Sequence, residues 1–149
     1  MSKEYSPQEL SFEALKRVTY KSILPTAPAA GSEWTTTVPA NKIWEILAIH
    51  YHLATSATVA SRIPKVSFTD GTSQIAECRT VSSQLASLTY EHTLSPNTPV
   101  LTLVGGLVGG PIPKLVLNAG AVISSTTDLI QAADQYSQVV IYVKEINVA

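Results

Sequence analysis

One cysteine, Cys78, stands in the 149 residues, so no internal disulfide can staple this chain, and within a strand-like run a buried thiol serves as a small hydrophobe. Charge is also scarce. Asp, Glu, Lys and Arg make up 14% of the residues, against about 25% in an average domain, and Ser and Thr take their place. With 10 basic against 11 acidic residues the net charge is −1, and no block of like charge builds a basic face; nucleic acid and an anionic membrane surface are therefore excluded as partners. No apolar run reaches a membrane span: the longest, Val100 to Val108, stops far short. The N-terminal Met1-Ser2-Lys3-Glu4-Tyr5-Ser6-Pro7 has no signal-peptide core, so the product is expected to be made in the cytoplasm as a soluble protein. A weakly charged surface guards strand edges poorly against association, which favours assembly with other subunits.

Catalytic signatures are missing too. Serines are frequent, yet there is no Gly-x-Ser-x-Gly elbow and no serine, histidine and aspartate singled out by placement. Gly105-Gly106-Leu107-Val108-Gly109-Gly110 lacks the Lys-Ser/Thr of a phosphate loop and the context of a dinucleotide fingerprint. Asp70 with Glu77 and Asp128 with Asp134 read as turn and loop residues rather than a catalytic pair. His50-Tyr51-His52 puts two imidazoles on one face of a strand, with His92 as a possible third ligand. No acidic or cysteine ligand is tied to them by a recognised spacing, so they read as solvent-facing or interface histidines. The expectation is no enzyme, no metal and no cofactor.

What is present is β pattern. With 45% hydrophobic residues the chain can build one domain with a core, and it is too short for two. Val38 to Thr58 reads as a long central strand entered at Pro39, with Leu47, Ile49, Tyr51 and Leu53 on alternate positions. Trp44 and Ile46 have the opposite parity. Either a bulge at Ile46-Leu47 reconciles the two sets or both faces are covered. Further strands are expected at Glu33–Val38, Ile63–Thr69, Ile75–Val81, Leu85–Thr93, Ala121–Ser125 and Ser137–Ile146, with a hairpin at Asp70-Gly71 and turns at Pro96, Pro99 and Asn118-Ala119-Gly120. Val100 to Val108 fits either a strand ending in a loop or a surface buried against another chain. No sequence repeat is present.

These elements predict an all-β fold, an antiparallel jelly-roll-like β-sandwich over residues 32–149. Its expected core holds Leu47, Ile49, Tyr51, Leu53, Val66, Phe68, Leu88, Tyr90, Leu115, Leu117, Ile141 and Val143. Residues 1–31 differ in kind, forming an N-terminal arm with a short helix and an extended part. Ser6-Pro7-Gln8-Glu9 forms a capping box, and a helix from Pro7 to about Arg17 follows, its Leu10, Phe12 and Leu15 needing cover. That cover is the domain itself or, in the reading adopted, a neighbouring subunit. The residues proposed to touch partners are Leu10, Phe12, Leu15, Tyr20, Leu103 and Leu107.

Three stretches, Val38-Pro39-Ala40-Asn41-Lys42-Ile43-Trp44-Glu45-Ile46-Leu47-Ala48-Ile49 with Leu53-Ala54-Thr55-Ser56-Ala57-Thr58, then Phe68-Thr69-Asp70-Gly71, then Ile112-Pro113-Lys114-Leu115-Val116-Leu117-Asn118-Ala119-Gly120, resemble small structural proteins of tailed bacteriophages. The likeness covers most of residues 33 to 147. The departures are Asn41, where those proteins commonly have glycine, and Ile43, where they have a basic residue. The resemblance implies a virion protein: a capsid decoration (cement) protein on the capsid surface, binding the major capsid protein, as a homotrimer. The alternative it implies is a tail, fibre or receptor- (carbohydrate-) binding subunit. A groove of exposed aromatics would favour the carbohydrate module, and three histidines converging in a barrel mouth would favour a cupin-like metal enzyme.

Overall fold

The computed structural model describes residues 17–80 and 83–148, with the backbone alone for 101–104. The described residues form eleven strands and no helix. In chain order these are β1 (Val18–Ile23), β2 (Thr35–Thr37), β3 (Lys42–Ala54), β4 (Ile63–Thr69), β5 (Gln74–Arg79), β6 (Thr89–Ser95), β7 (Leu101–Val104), β8 (Leu107–Pro111), β9 (Val116–Leu117), β10 (Val122–Asp128) and β11 (Gln135–Asn147). The larger sheet has the order β1-β11-β3-β6-β8-β7 with β9 against β3, and the smaller has the order β2-β10-β4-β5. Ile49, Tyr51, Leu94 and Ile141 of the larger sheet and Val66, Phe68 and Ile123 of the smaller join one buried cluster, so the architecture is sandwich-like. Among the described pairs only β6 with β8 is parallel, a departure from the wholly antiparallel expectation.

Of the two alternatives for the central strand, the bulge is the one present. Ile46 stands opposite Val143 and Ala48 opposite Tyr142, which leaves Leu47 as the extra residue. The slip of one reverses the parity of β3, so Trp44 and Ile46 point inward before it and Ile49, Tyr51 and Leu53 after it, all 2% exposed or less. Leu47 is thereby half-buried, not core as expected. Leu88 and Tyr90 are also half-buried, and Leu115 packs only at the edge of the cluster. The core instead takes in Trp34, Val38, Leu94, Ile112, Ile123 and Tyr136.

At one end of the sandwich distant segments interlock. Val38 donates its amide to the Ala121 carbonyl at 2.8 Å, its own carbonyl accepts from Gly120 at 2.9 Å, and Trp44 pairs with Leu117. The Asp70-Gly71 turn closes against the same corner, where a Cβ on Gly71 would lie 3.1 Å from the Gly120 carbonyl oxygen. Asp70 Oδ1 accepts the Thr72 and Ser73 amides at 2.8 and 2.7 Å, an Asx turn that makes the β4–β5 loop four residues, Asp70 to Ser73, rather than a two-residue hairpin. Val100 to Val108 resolves into β7, a Gly105-Gly106 turn with both φ positive, and the start of β8.

Residues 18–23, within the segment read as an arm, are the edge strand β1, in register with β11 from Val18 opposite Ile146 to Ile23 opposite Ile141. The carboxylate of Glu145, 4% exposed, fastens that edge. It lies 2.9 Å from Lys21 Nζ and 3.3 Å from Lys42 Nζ, and accepts the Trp44 indole N–H at 2.8 Å. The helix expected from Pro7 lies outside the described residues except for Arg17, which is in a turn.

Candidate functional site

Alternation along β3 turns Tyr51 into the core and leaves His50 and His52 on the outer face of the larger sheet. Register with β6 then sets Thr93 beside His50 and Glu91 beside His52. His50 Nε2 lies 3.6 Å from Glu91 Oε1 and His52 Nε2 lies 3.9 Å from Glu91 Oε2, both too long for hydrogen bonds. One donor atom from each of the three residues falls within 4.8 Å of the others. His50 Nδ1 is 3.2 Å from the Thr93 hydroxyl, which fixes that ring, and the two imidazoles meet edge-on at 5.3 Å. Burial pulls His50 below the ordinary imidazole range; Glu91 opposes this and His52 adds to it.

His92 is not a third member. It lies between Glu91 and Thr93 on β6, so the same alternation sends it to the inner face, where it is fully buried. There it stacks on Tyr51 at 4.7 Å and 11°, and its Nε2 lies 3.1 Å from the Gln84 side-chain oxygen. Burial, with lesser repulsion from His50 and His52, holds it down to about 3, so the ring is neutral and structural. The three histidines therefore do not converge as a cupin-like site requires. The acidic partner, Glu91, came from the neighbouring strand; only register could reveal it.

Of the residues read as partner-binding, Tyr20 on β1 and Leu107 on β8 are 59% and 48% exposed. Leu107 stands beside Glu91 in the β6–β8 pairing and shares the outer face. The strand order separates it from Tyr20 by four spacings, about 19 Å, so the two are not one contact point. Tyr142, 42% exposed and opposite Ala48, lies between them and was not anticipated. Leu103 is in edge strand β7, and Leu10, Phe12 and Leu15 lie outside the described residues. Beside the bulge a groove of about 510 Å³ runs between Leu47, Pro96, Ile112 and Lys114 and has no aromatic lining, unlike a sugar-binding cleft.

A second polar cluster escaped the sequence reading. Arg62 and Asp134 are wholly buried and form a bidentate pair, Nε and Nη2 each donating to a carboxylate oxygen at 2.9 Å. Arg62 also donates to the Thr58 and Ala60 carbonyls and the Ser56 hydroxyl, so all five of its N–H groups are used. Asp134 accepts the Ser56 and Gln131 amides as well, at 2.7 and 2.8 Å. Burial alone would raise the Asp134 carboxyl, but Arg62 and the two amides prevail and hold it at about 2. With no donor or acceptor left over for a substrate, this pair ties the β3–β4 connection to the β10–β11 loop.

The chain matches no protein-family model and no curated protein.

Proposed function

We propose that this chain is a structural protein of a tailed-bacteriophage virion: a capsid decoration protein with a jelly-roll domain that binds the assembled shell of the major capsid protein and stabilises it without catalysis. The observation that carries this reading is the strand order. Four strands of the larger sheet, β1-β11-β3-β6, and all four of the smaller, β2-β10-β4-β5, lie in an order that supports a jelly-roll reading, in which β7 to β9 are an insertion between β6 and β10. Viral capsid domains use that architecture, as do lectins and cupins. The resemblance of the three stretches favours the first of these, and their Val38, Trp44, Gly71, Leu117 and Gly120 meet in one interlocked corner. Such a corner specifies a scaffold, and the step from scaffold to place on the particle rests on the resemblance.

The outer face of the larger sheet is the surface offered to the shell. Tyr20, Tyr142 and Leu107 stand out from it, interspersed with the charged Lys144, Glu45 and Glu91. A protein that binds assembled shell and not free subunits stabilises the assembled state by mass action, and a trimer multiplies the effect through linked contacts. The test is co-sedimentation of the full chain with purified capsids of its own phage, with copies counted per particle. Saturation at many copies over the shell fits decoration. A few copies at one vertex would indicate the tail or fibre alternative, and no binding would end the virion-surface reading.

A further inference from the structure

We infer that His50, His52 and Glu91 form a binding site for one divalent transition-metal ion of the zinc class on the outer face of the larger sheet. The residue types are right: two imidazole nitrogens and one carboxylate are a donor set that zinc accepts, leaving a fourth position open. So is the spacing. In a tetrahedral zinc site with ligand distances near 2.0–2.2 Å, the donor atoms stand roughly 3.3–3.6 Å apart. His50 Nε2 lies 3.6 Å from Glu91 Oε1 and His52 Nε2 lies 3.9 Å from the other oxygen, Oε2, and one donor atom from each residue falls within 4.8 Å of the others, so binding draws the half-exposed Glu91 side chain in toward the two rings.

The surroundings argue against an ordinary surface cluster. Elsewhere on this face Glu45 is neutralised by Lys144 and Lys114, at 3.3 and 3.6 Å. Glu91 has no lysine or arginine partner among the described residues, and its charge faces only the two rings. His50 Nδ1 is engaged by Thr93, which leaves Nε2 as the nitrogen turned toward the carboxylate, the arrangement by which an outer hydroxyl orients a metal-ligating imidazole. His52 makes no hydrogen bond among the described residues. The carboxylate brings a negative charge toward a dication, and the two imidazoles bring nitrogen donors. The ligands come from two adjacent strands, so a bound ion would also fasten β3 to β6.

This inference is independent of the virion reading. The test uses the untagged full chain, stripped with chelator and titrated with zinc chloride against a chromophoric competitor. The expected result is one zinc per chain with a Kd below about 10 μM and a higher melting temperature when loaded. Cobalt in place of zinc should give the intense visible bands of a four-coordinate ion. His52→Ala, and the isosteric Glu91→Gln, should each weaken zinc binding by about tenfold or more, and Thr93→Val should weaken it while leaving the stoichiometry at one. The three positions are part-exposed, so the metal-free melting temperature of each variant should stay near that of the parent. Absence of a saturable single equivalent would overturn the proposal, as would zinc binding unchanged in both His52→Ala and Glu91→Gln.

Discussion

Replacing Asp134 by Ala should remove more stability than any other single polar change in the described structure. The substitution strips Arg62 of both carboxylate oxygens, at 2.9 Å each, and leaves a wholly buried guanidinium with only the Thr58 and Ala60 carbonyls and the Ser56 hydroxyl. It also orphans the Ser56 and Gln131 amides. Breaking a buried pair from one side costs about 3–5 kcal/mol, which in a domain of this size lowers the melting temperature by roughly 10 °C. The pH dependence has a definite sign. The folded carboxyl titrates at about 2, below its ordinary 3.8, so its contribution is complete above pH 3.8 and is lost as pH falls through about 2. That difference amounts to about 2 kcal/mol. Urea unfolding of the parent and of Asp134→Ala at pH 7 and at pH 2.5 is the assay. The two curves should lie far apart at pH 7 and approach each other at pH 2.5. A difference under about 1 kcal/mol at pH 7 would refute the claim that this pair ties the two connections together.

Ile49→Ala, at a position with no exposure, should cost about 2–5 kcal/mol in the same assay, whereas Leu47→Ala at the bulge should cost clearly less; equal losses would contradict the parity change. Gly31 has φ 72°, and a Cβ there would lie 2.8 Å from the Ala132 Cα, so Gly31→Ala should destabilise by about 2 kcal/mol or more, and a neutral result would argue against this close approach. Cys78 is buried, and burial together with Glu77 pushes its thiol up. It should therefore react slowly with a thiol reagent in the native protein and rapidly in denaturant; fast native reaction would place it at the surface.

The sandwich was legible because period-two alternation is a local signal. Ile49, Tyr51, Leu53, Val66, Phe68, Ile141 and Val143 could be read as core from their own strands, and the clash of parity at Ile46-Leu47 located the bulge. Signals that depend on which strand lies beside which were not legible. Leu88 and Tyr90 had the right alternation, but it is His92 and Leu94, further along the same face of β6, that are fully buried. Val18 to Ile23 reads as part of an extended arm after the helix until β11 supplies its partner. The histidine cluster shows the same limit. His50 and His52 were visible as a pair with His92 as a possible third ligand, whereas register sets Glu91 beside them. Arg62 and Asp134 are 72 residues apart, and no local pattern connects a loop aspartate with an arginine before a strand.

The central claim, that this domain decorates an assembled shell, is tested most directly by melting purified capsids with and without the full chain and with a chain lacking residues 1–16, a deletion that keeps β1 in the sheet. If the claim holds, the full chain binds at many copies per particle and raises the capsid melting temperature, and the shortened chain binds more weakly because the Leu10, Phe12 and Leu15 contacts are gone. Equal stabilisation by both chains would remove the arm from the account while leaving decoration in place. A full chain that folds yet neither binds the shell nor shifts its melting would contradict the claim itself.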